Sequence, residues 1–291
     1  MIPPPFEYVA PKTLSEAVAL LGKNPEAKIL SGGHSLLPMM KFRLAAPPLL
    51  VDINRVDGLN YIREEGSWLK IGCLTRESDL ERSALVQKKY PLLADTARVV
   101  ADPLVRNMAT VAGNLAHADP ANDHPATMLA YGAQVVATGP RGEREIAIGD
   151  FFQDAFQTAL AHDEILSEIR IPAAKAGSGG AYLKLERKVG DYATAAVAVQ
   201  VSLGKNGKCE SVGIGLTNVG LTPIKATKAE EALTGQEPSD ANIQKAARLA
   251  SEAAEPIADH RGSEEYKRSL VKTFTVRALR KAVERAKGGA A

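Results

Sequence analysis

Apolar residues recur along the chain at two periods, and each change of period marks an element. Over residues 11–21, Leu14, Val18 and Leu21 share one helical face. Thr13 or Ser15 can cap that helix, and Glu16 places an acid in its first turn. Short apolar runs bounded by turn residues predict strands over 27–30, 49–53 and 68–71, the last after a turn at 64–67. Helices are expected over 77–80, 90–100 and 125–131. Residues 133–138 and 144–148 read as a hairpin around Gly139-Pro140-Arg141-Gly142, and 165–171 as a strand that ends at Pro172. Residues 173–180, rich in Ala, Gly and Ser, read as a linker. Beyond them the pattern predicts strands over 181–188, 193–203 and 212–219, with a hairpin turn at 204–207. Helices follow over 227–234, 240–254 and 264–287. The sum is an α+β chain: one unit over 1–175, with an N-terminal subdomain to about residue 55, and a second over 178–287. The second unit is expected to be a three-stranded antiparallel sheet with helices on one face.

Two glycine-bearing stretches interrupt this pattern. The first is Leu30-Ser31-Gly32-Gly33-His34-Ser35-Leu36-Leu37-Pro38, the second Thr110-Val111-Ala112-Gly113-Asn114. Glycine takes up positive φ and lets the backbone approach a ligand closely. Successive N–H groups in such a turn form a concave nest for phosphate oxygens. Two nests can clamp a pyrophosphate, which points to a dinucleotide such as FAD. Neither stretch matches G-x-G-x-x-G or G-x-x-x-x-G-K-[ST]. Either one alone reads equally as a tight turn.

Composition narrows the picture. The 291 residues suffice for two domains, and 45% hydrophobic with 24% charged residues suits a globular fold. A net charge of +2 provides no general attraction to nucleic acid or an anionic membrane. No apolar run approaches the roughly 20 residues that span a bilayer. Met1-Ile2-Pro3-Pro4-Pro5 lacks the pattern of a secretory signal, so a cytoplasmic location is expected. Cys73 and Cys209 form no C-x-x-C, cannot ligate an iron–sulfur cluster within this chain, and are expected as buried free thiols. Arg277, Arg280, Lys281, Arg285 and Lys287 are interrupted by Glu284 and read as a solvated helix face or a subunit contact, not a nucleic-acid site.

Several motifs, taken in order, carry a family resemblance. They are Pro5-Phe6-Glu7-Tyr8, the first glycine stretch, Val51-Asp52-Ile53, the second glycine stretch, Asp119-Pro120-Ala121-Asn122-Asp123-His124-Pro125, Glu164-Ile165-Leu166, and Lys188-Val189-Gly190-Asp191-Tyr192-Ala193. Over nearly the whole chain they resemble the FAD-binding medium subunit of molybdenum hydroxylases, the xanthine dehydrogenase family. Within it the likeness is greatest to the medium subunits of aerobic carbon monoxide dehydrogenases. The resemblance implies a vanillyl-alcohol-oxidase/PCMH-type FAD domain followed by a small α+β domain of the CO dehydrogenase flavoprotein type. It implies an oxidoreductase subunit that holds FAD and takes electrons from a small subunit with two [2Fe-2S] clusters. A large subunit with the molybdopterin cofactor would oxidise the substrate, within a dimer of heterotrimers. Electrons would leave to a quinone or another acceptor, with attachment to the inner face of the cytoplasmic membrane as one setting. Carbon monoxide is the implied substrate; a purine, an N-heterocycle or an aldehyde is the alternative. The hard chemistry lies with the cofactor, which the protein orients; no catalytic residue and no metal ligand is expected in this chain.

The resemblance also assigns residues. Leu30, Ser31, Gly32, Gly33, His34, Ser35 and Leu36 match the first FAD loop, whose N–H groups hold the pyrophosphate. His34 there reads as loop structure or a ligand hydrogen bond rather than a proton carrier. Thr110, Val111, Ala112, Gly113 and Asn114 match the second loop; the family pattern is Thr-Ile-Gly-Gly-Asn, so Ala112 departs from it, with Gly113 at closest approach. Asp123 matches an aspartate that bonds the ribose or adjoining groups, or else caps the helix that follows; Asp119 reads as a cap. Leu166 would offer main-chain contacts to the flavin, and Val100 would line the adenine pocket. Lys184 either stabilises reduced, anionic flavin or is a solvated strand lysine. Tyr192 either stacks on the isoalloxazine ring and limits oxygen access, or is an interdomain core residue. Two other classes stay open: a stand-alone FAD oxidase or reductase, and a non-catalytic nucleotide-binding or assembly protein.

Overall fold

A computed structural model describes residues 2–288. It begins with β1 (Glu7–Val9), α1 (Leu14–Lys23), β2 (Lys28–Leu30), α2 (Leu36–Lys41) and β3 (Leu49–Asp52). The strands form a parallel sheet in the order β1-β3-β2. Thr13 caps α1 by accepting from the Glu16 N–H, and Ala17, Val18 and Leu21 turn into the core. Two elements here escape the sequence pattern. All three residues of β1 are exposed, so it has no alternation to read. α2 contains Pro38, but at its third position, where a helix needs no internal N–H bond. The last three residues of the first glycine stretch, 36–38, are therefore helix.

Next come β4 (Ile62–Glu65), β5 (Trp68–Gly72), and a run of helices: α3 (Glu77–Arg82), α4 (Ala84–Lys89), α5 (Pro91–Val99), α6 (Pro103–Arg106), α7 (Val111–His117) and α8 (His124–Tyr131). The chain continues through β6 (Gln134–Gly139), β7 (Gly142–Ala147), α9 (Ile148–Phe151), β8 (Phe152–Asp154), β9 (Gln157–Thr158) and β10 (Ile165–Pro172). An antiparallel sheet forms in the order β4-β5-β10-β6-β7. The expected hairpin closes with Gly139 opposite Gly142. The expected turn at 64–67 is shorter: Glu64 and Glu65 pair with Leu69 and Trp68, and Gly66 takes φ +61° between them.

The last unit holds β11 (Ser178–Leu185), β12 (Ala195–Leu203), β13 (Cys209–Thr217), β14 (Ile224–Lys225), α10 (Thr227–Leu233), α11 (Asp240–Ala253) and α12 (Glu264–Ala286). Its antiparallel sheet has four strands, not three, because the two-residue β14 pairs along β13. β11 starts inside the expected linker. Gly179 and Gly180 are small because neighbours press on them: a Cβ on Gly179 would lie 2.2 Å from the Ala282 carbonyl of α12. β11 also ends early, at Leu185, which frees residues 186–192 as a loop.

β12 shows how the two units join. Ala195, Val197, Val199 and Val201 pack toward the C-terminal helices, while Ala196 and Ala198 pack with Leu92, Ala126 and Tyr182 at the junction. The alternation follows the period of two, and the small residues let a helix come close. Gly213 and Gly215 of β13 lie opposite Gln200 and Ala198 and continue that small-residue face beneath α8. Arg285 does not belong to a solvated helix face: it is nearly buried and grips Asp95 of α5 at 2.7 and 3.1 Å, with Lys281 at 3.2 Å. Both cysteines are free and buried. No helix among the described residues is long and apolar enough to cross a membrane.

Candidate functional site

A cleft of about 560 Å³ opens between the parallel sheet, the helical run and β11. Every residue the resemblance assigns to FAD lines it except Val111, which is fully buried in the core. The two glycine stretches, distant in sequence, meet where the Ser31 and Thr110 hydroxyls hydrogen-bond at 3.0 Å.

The first stretch is a nest. Gly33 takes φ +76°. The N–H groups of Gly32, Gly33, His34, Ser35 and Leu36 donate to no backbone carbonyl among the described residues. Asn54 supports the loop by donating to the Ser31 carbonyl at 2.9 Å, and Arg76 steadies Asn54 at 2.6 Å while also bonding the Met108 carbonyl. Neither Asn54 nor Arg76 stands out in the sequence. A Cβ on Gly32 would lie 2.6 Å from the Met108 carbonyl oxygen and 2.7 Å from the Ala109 Cα. Both are backbone and cannot step aside. Gly32→Ala is therefore expected to weaken FAD binding by about ten- to a hundredfold, read from a flavin fluorescence titration.

The second stretch is not a loop. Thr110 is the N-cap of α7, its hydroxyl accepting from the Gly113 N–H at 3.1 Å. The Val111 N–H donates to the Thr75 carbonyl, and the Asn114 N–H to the Thr110 carbonyl. Of this stretch, only the Thr110 and Ala112 N–H groups donate to no acceptor among the described residues, so the expected pair of nests becomes one nest and one capped helix start. The closest approach at Gly113 is to Thr110 and Ser31: a Cβ there would lie 2.7 and 3.2 Å from their hydroxyl oxygens. The Asn114 Oδ1 is buried at the cleft and has no hydrogen-bond partner among the described residues.

The far corner is built by charge. Asp123 occupies the N-cap position before α8, but its side chain makes no capping bond. Its carboxylate instead accepts from Lys184 at 2.9 Å and from the Tyr182 hydroxyl at 2.7 Å. Burial pushes the Asp123 carboxyl up from its ordinary value, and Lys184 and Tyr182 oppose that push. Lys184 is only 3% exposed, so it is not a solvated strand lysine. It also donates to the Val99 carbonyl at 3.0 Å. Asp119 accepts the Ala121 N–H, closing a turn rather than capping a helix. Tyr192 is 44% exposed on the cleft wall and is not a core residue; Tyr182 fills that role. Gly190, beside Tyr192, sits directly on the Ala101 peptide. Val100, Lys184 and Tyr192 thus line the same stretch of the cleft wall, drawn together through the Val99 and Ala101 backbone.

Asp191 tethers the Tyr192 loop. It accepts from Arg187 at 2.8 Å and Arg261 at 3.3 Å. The Arg187 bond, followed by the Tyr192 N–H and Arg261, outweighs burial and brings its carboxyl to about 2. A carboxyl lowered on folding stabilises the folded loop above its unfolded value, near 3.9, and loses that effect as pH falls toward 2. Asp191→Asn is expected to speed amide exchange across residues 187–192 at neutral pH, whereas the wild-type loop is expected to loosen only in strong acid.

Other residues escaped notice in the sequence. Glu77 and His124 form a fully buried pair at 2.7 Å between α3 and α8, next to Asp123. His117 and Phe156 pack with tilted rings, centroids 5.2 Å apart, on the cleft wall. Only the Asp119–Pro125 motif gave any signal for His124; the partners of the others lie far off in sequence.

The nest of N–H groups, the glycine at closest approach, the orphaned Asn114 oxygen and the cation at one end suit a large anionic cofactor with a polar aromatic ring. The fold and cleft define a two-domain, FAD-type binding subunit. Residues 4–174 match the FAD-binding domain of molybdopterin dehydrogenases, and residues 180–282 match the CO dehydrogenase flavoprotein C-terminal domain. The chain belongs to the FAD-binding medium subunits of the molybdenum hydroxylases. It is 47% identical to the carbon monoxide dehydrogenase medium chain of Hydrogenophaga pseudoflava, over 96% of this chain and 97% of that one. It is 37% identical to the 6-hydroxypseudooxynicotine dehydrogenase complex subunit alpha of Paenarthrobacter nicotinovorans, over 99% and 97%. A solved Hydrogenophaga pseudoflava carbon monoxide dehydrogenase lacking the Mo-pyranopterin moiety superposes with a TM-score of 0.95 at 48% identity, covering 98% of this chain and 99% of that one.

Proposed function

We propose that this chain is the electron-exit subunit of a carbon monoxide-oxidising molybdenum hydroxylase. The observation that carries the reading is the run of free N–H groups from Gly32 to Leu36, facing a cleft whose far corner holds Lys184. The identity to carbon monoxide dehydrogenase medium chains, higher than to the relative named for 6-hydroxypseudooxynicotine, favours carbon monoxide. FAD, when bound, accepts and passes on electrons in steps of one or two.

The chain's own residues bind and orient. The Gly32–Leu36 N–H groups take the pyrophosphate, with Ala112 adding a donor from α7. Asn114 Oδ1 accepts from the cofactor's polar groups. Lys184 and Tyr192 would hold the flavin ring, with Val100 beside them on the cleft wall. Leu166 offers its main chain from β10. The Lys184 ammonium favours negative charge on the ring, and Asp123 and Tyr182 fix its position. Tyr192 covers the corner and restricts oxygen.

The N-terminal unit, 1–175, carries the cofactor, and the unit over 178–287 supplies Lys184 and Tyr192. A small subunit with two [2Fe-2S] clusters delivers the electrons, and a large molybdopterin subunit oxidises the substrate, in a dimer of heterotrimers. The assembly is cytoplasmic and passes electrons to a quinone at the inner membrane face. The test is to purify the chain with its native partners and follow anaerobic absorbance as carbon monoxide is added. Co-purified molybdenum, iron and FAD, with bleaching of the iron–sulfur and flavin bands, are expected. Cofactors present but unresponsive to the gas would move the substrate to N-heterocycles or aldehydes. A yellow chain purified alone, without iron or molybdenum, would sink the reading.

A further inference from the structure

Two buried cations hold three consecutive carbonyls at the cleft wall. Lys184 Nζ donates to Val99 O at 3.0 Å. Arg106 Nη1 donates to Val100 O at 3.0 Å and to Ala101 O at 3.2 Å. They lie at and just beyond the end of α5, where a helix leaves carbonyls without partners. No glycine cap supplies them: Val100 is extended, at φ −70° and ψ 112°. Arg106 is 8% exposed, and Glu81 grips the rest of its fork at 2.9 and 3.4 Å.

Ala101 takes φ +46°. An L-residue enters that region only against a steric penalty, and such strain persists only where the surroundings enforce it. Val100 and Ala101 line the cleft and Arg106 does not, so Arg106 grips the turn from behind. In a planar trans peptide the carbonyl and the next N–H point in opposite directions. The Ala101 N–H therefore points away from Arg106, and it donates to no backbone carbonyl among the described residues.

We propose that Arg106 is a positioning residue for the flavin: by gripping the Val100 and Ala101 carbonyls it holds Ala101 in its left-handed turn and aims the Ala101 N–H at the acceptor edge of the ring. The inference rests on the reading of the cleft as an FAD site with the ring beside Lys184. That edge gains negative charge on reduction, so a fixed donor favours the reduced form.

The test uses the full chain with Arg106→Gln, Arg106→Lys, Glu81→Gln, and Arg106→Gln combined with Ala101→Gly. The first readout needs no cofactor: the Ala101 Cα and Cβ chemical shifts of alanine-labelled protein, which report its φ. They are expected to leave the left-handed range in Arg106→Gln and to stay in Glu81→Gln. The second is the ratio of affinities for reduced and oxidised FAD. Arg106→Gln is expected to lower it about tenfold, the size of one hydrogen bond to a charged acceptor. Adding Ala101→Gly should restore most of it, because glycine needs no clamp to keep positive φ. Glu81→Gln should leave the ratio within about twofold, since the carbonyl bonds remain. Wild-type shifts and ratio in Arg106→Gln, the same loss in Glu81→Gln, or no recovery with Ala101→Gly would each overturn the proposal. Should Arg106→Gln fail to fold, Arg106→Lys decides: partial loss supports the clamp and wild-type behaviour overturns it. A wild-type chain that takes up no FAD fails the earlier reading instead, while the Ala101 shifts still decide the clamp.

Discussion

Gly215→Ala is expected to separate the two units. A Cβ there would lie 2.0 Å from the Ala126 carbonyl oxygen and 2.7 Å from its carbon. Gly213 is equally placed, 1.9 Å from the Ala130 oxygen. These are backbone atoms of α8, so no rotamer change makes room. Either the helix lifts off β13 or the sheet bends. Overpacking of side chains typically costs about 1–3 kcal/mol, and a clash with helix backbone should reach the top of that range or exceed it. The damage should not stay local, because α8 carries Asp123 and His124. Lifting it opens the Asp123–Lys184 and Glu77–His124 pairs together. The expected result is a lower Tm and a loss of bound FAD. Gly149→Ala is the matched control: nothing lies within 4 Å of its Cβ position, and it should leave both unchanged.

Lys184→Met should separate the charge at the cleft from its shape. The methionine keeps much of the lysine stem but leaves Asp123 buried with only the Tyr182 hydroxyl. Removing one partner of a buried pair costs about 3–5 kcal/mol when the other stays charged. Asp123 escapes part of that cost by binding a proton, since burial already pushes its carboxyl up. The folded protein then holds a proton that the unfolded chain, with an aspartate near 3.9, has released. Stability should therefore fall as pH rises above about 4, with a slope near 1.4 kcal/mol per pH unit until Asp123 ionises in the fold. Urea unfolding of wild type and variant at several pH values measures it. A variant whose loss is independent of pH would show that Asp123 stays charged without Lys184. The Val99 carbonyl loses its donor as well, so FAD affinity should drop even where the protein remains folded.

Local pattern made much of the architecture legible. The helical faces of α1 and α11, the Gly139–Gly142 hairpin and β10 were all expected, because a 3.6- or 2-residue period with proper ends needs only near neighbours. The elements that failed are those whose reason lies elsewhere in the chain. β1 exists because β3 runs beside it. Gly179 and Gly180 looked like linker residues because α12 and Leu92, which demand their smallness, are remote in sequence. Thr110–Asn114 looked like a second phosphate loop, since a Thr cap and a ligand loop share the same residue types.

Alone, the sequence determined the order of elements, the two glycine stretches, the near neutrality of charge and the motifs that carry the family likeness. These are properties of composition and short spacing, which local sterics read directly. Tertiary structure decided which N–H groups remain free. It spent those of Val111, Gly113 and Asn114 on Thr75 and Thr110 and left those from Gly32 to Leu36 open. It also turned Asp123 from a helix cap into the anchor of Lys184, from 61 residues away. Such pairings arise because a buried charge must find its partner wherever the fold provides one, and the chain's order carries no record of where that is.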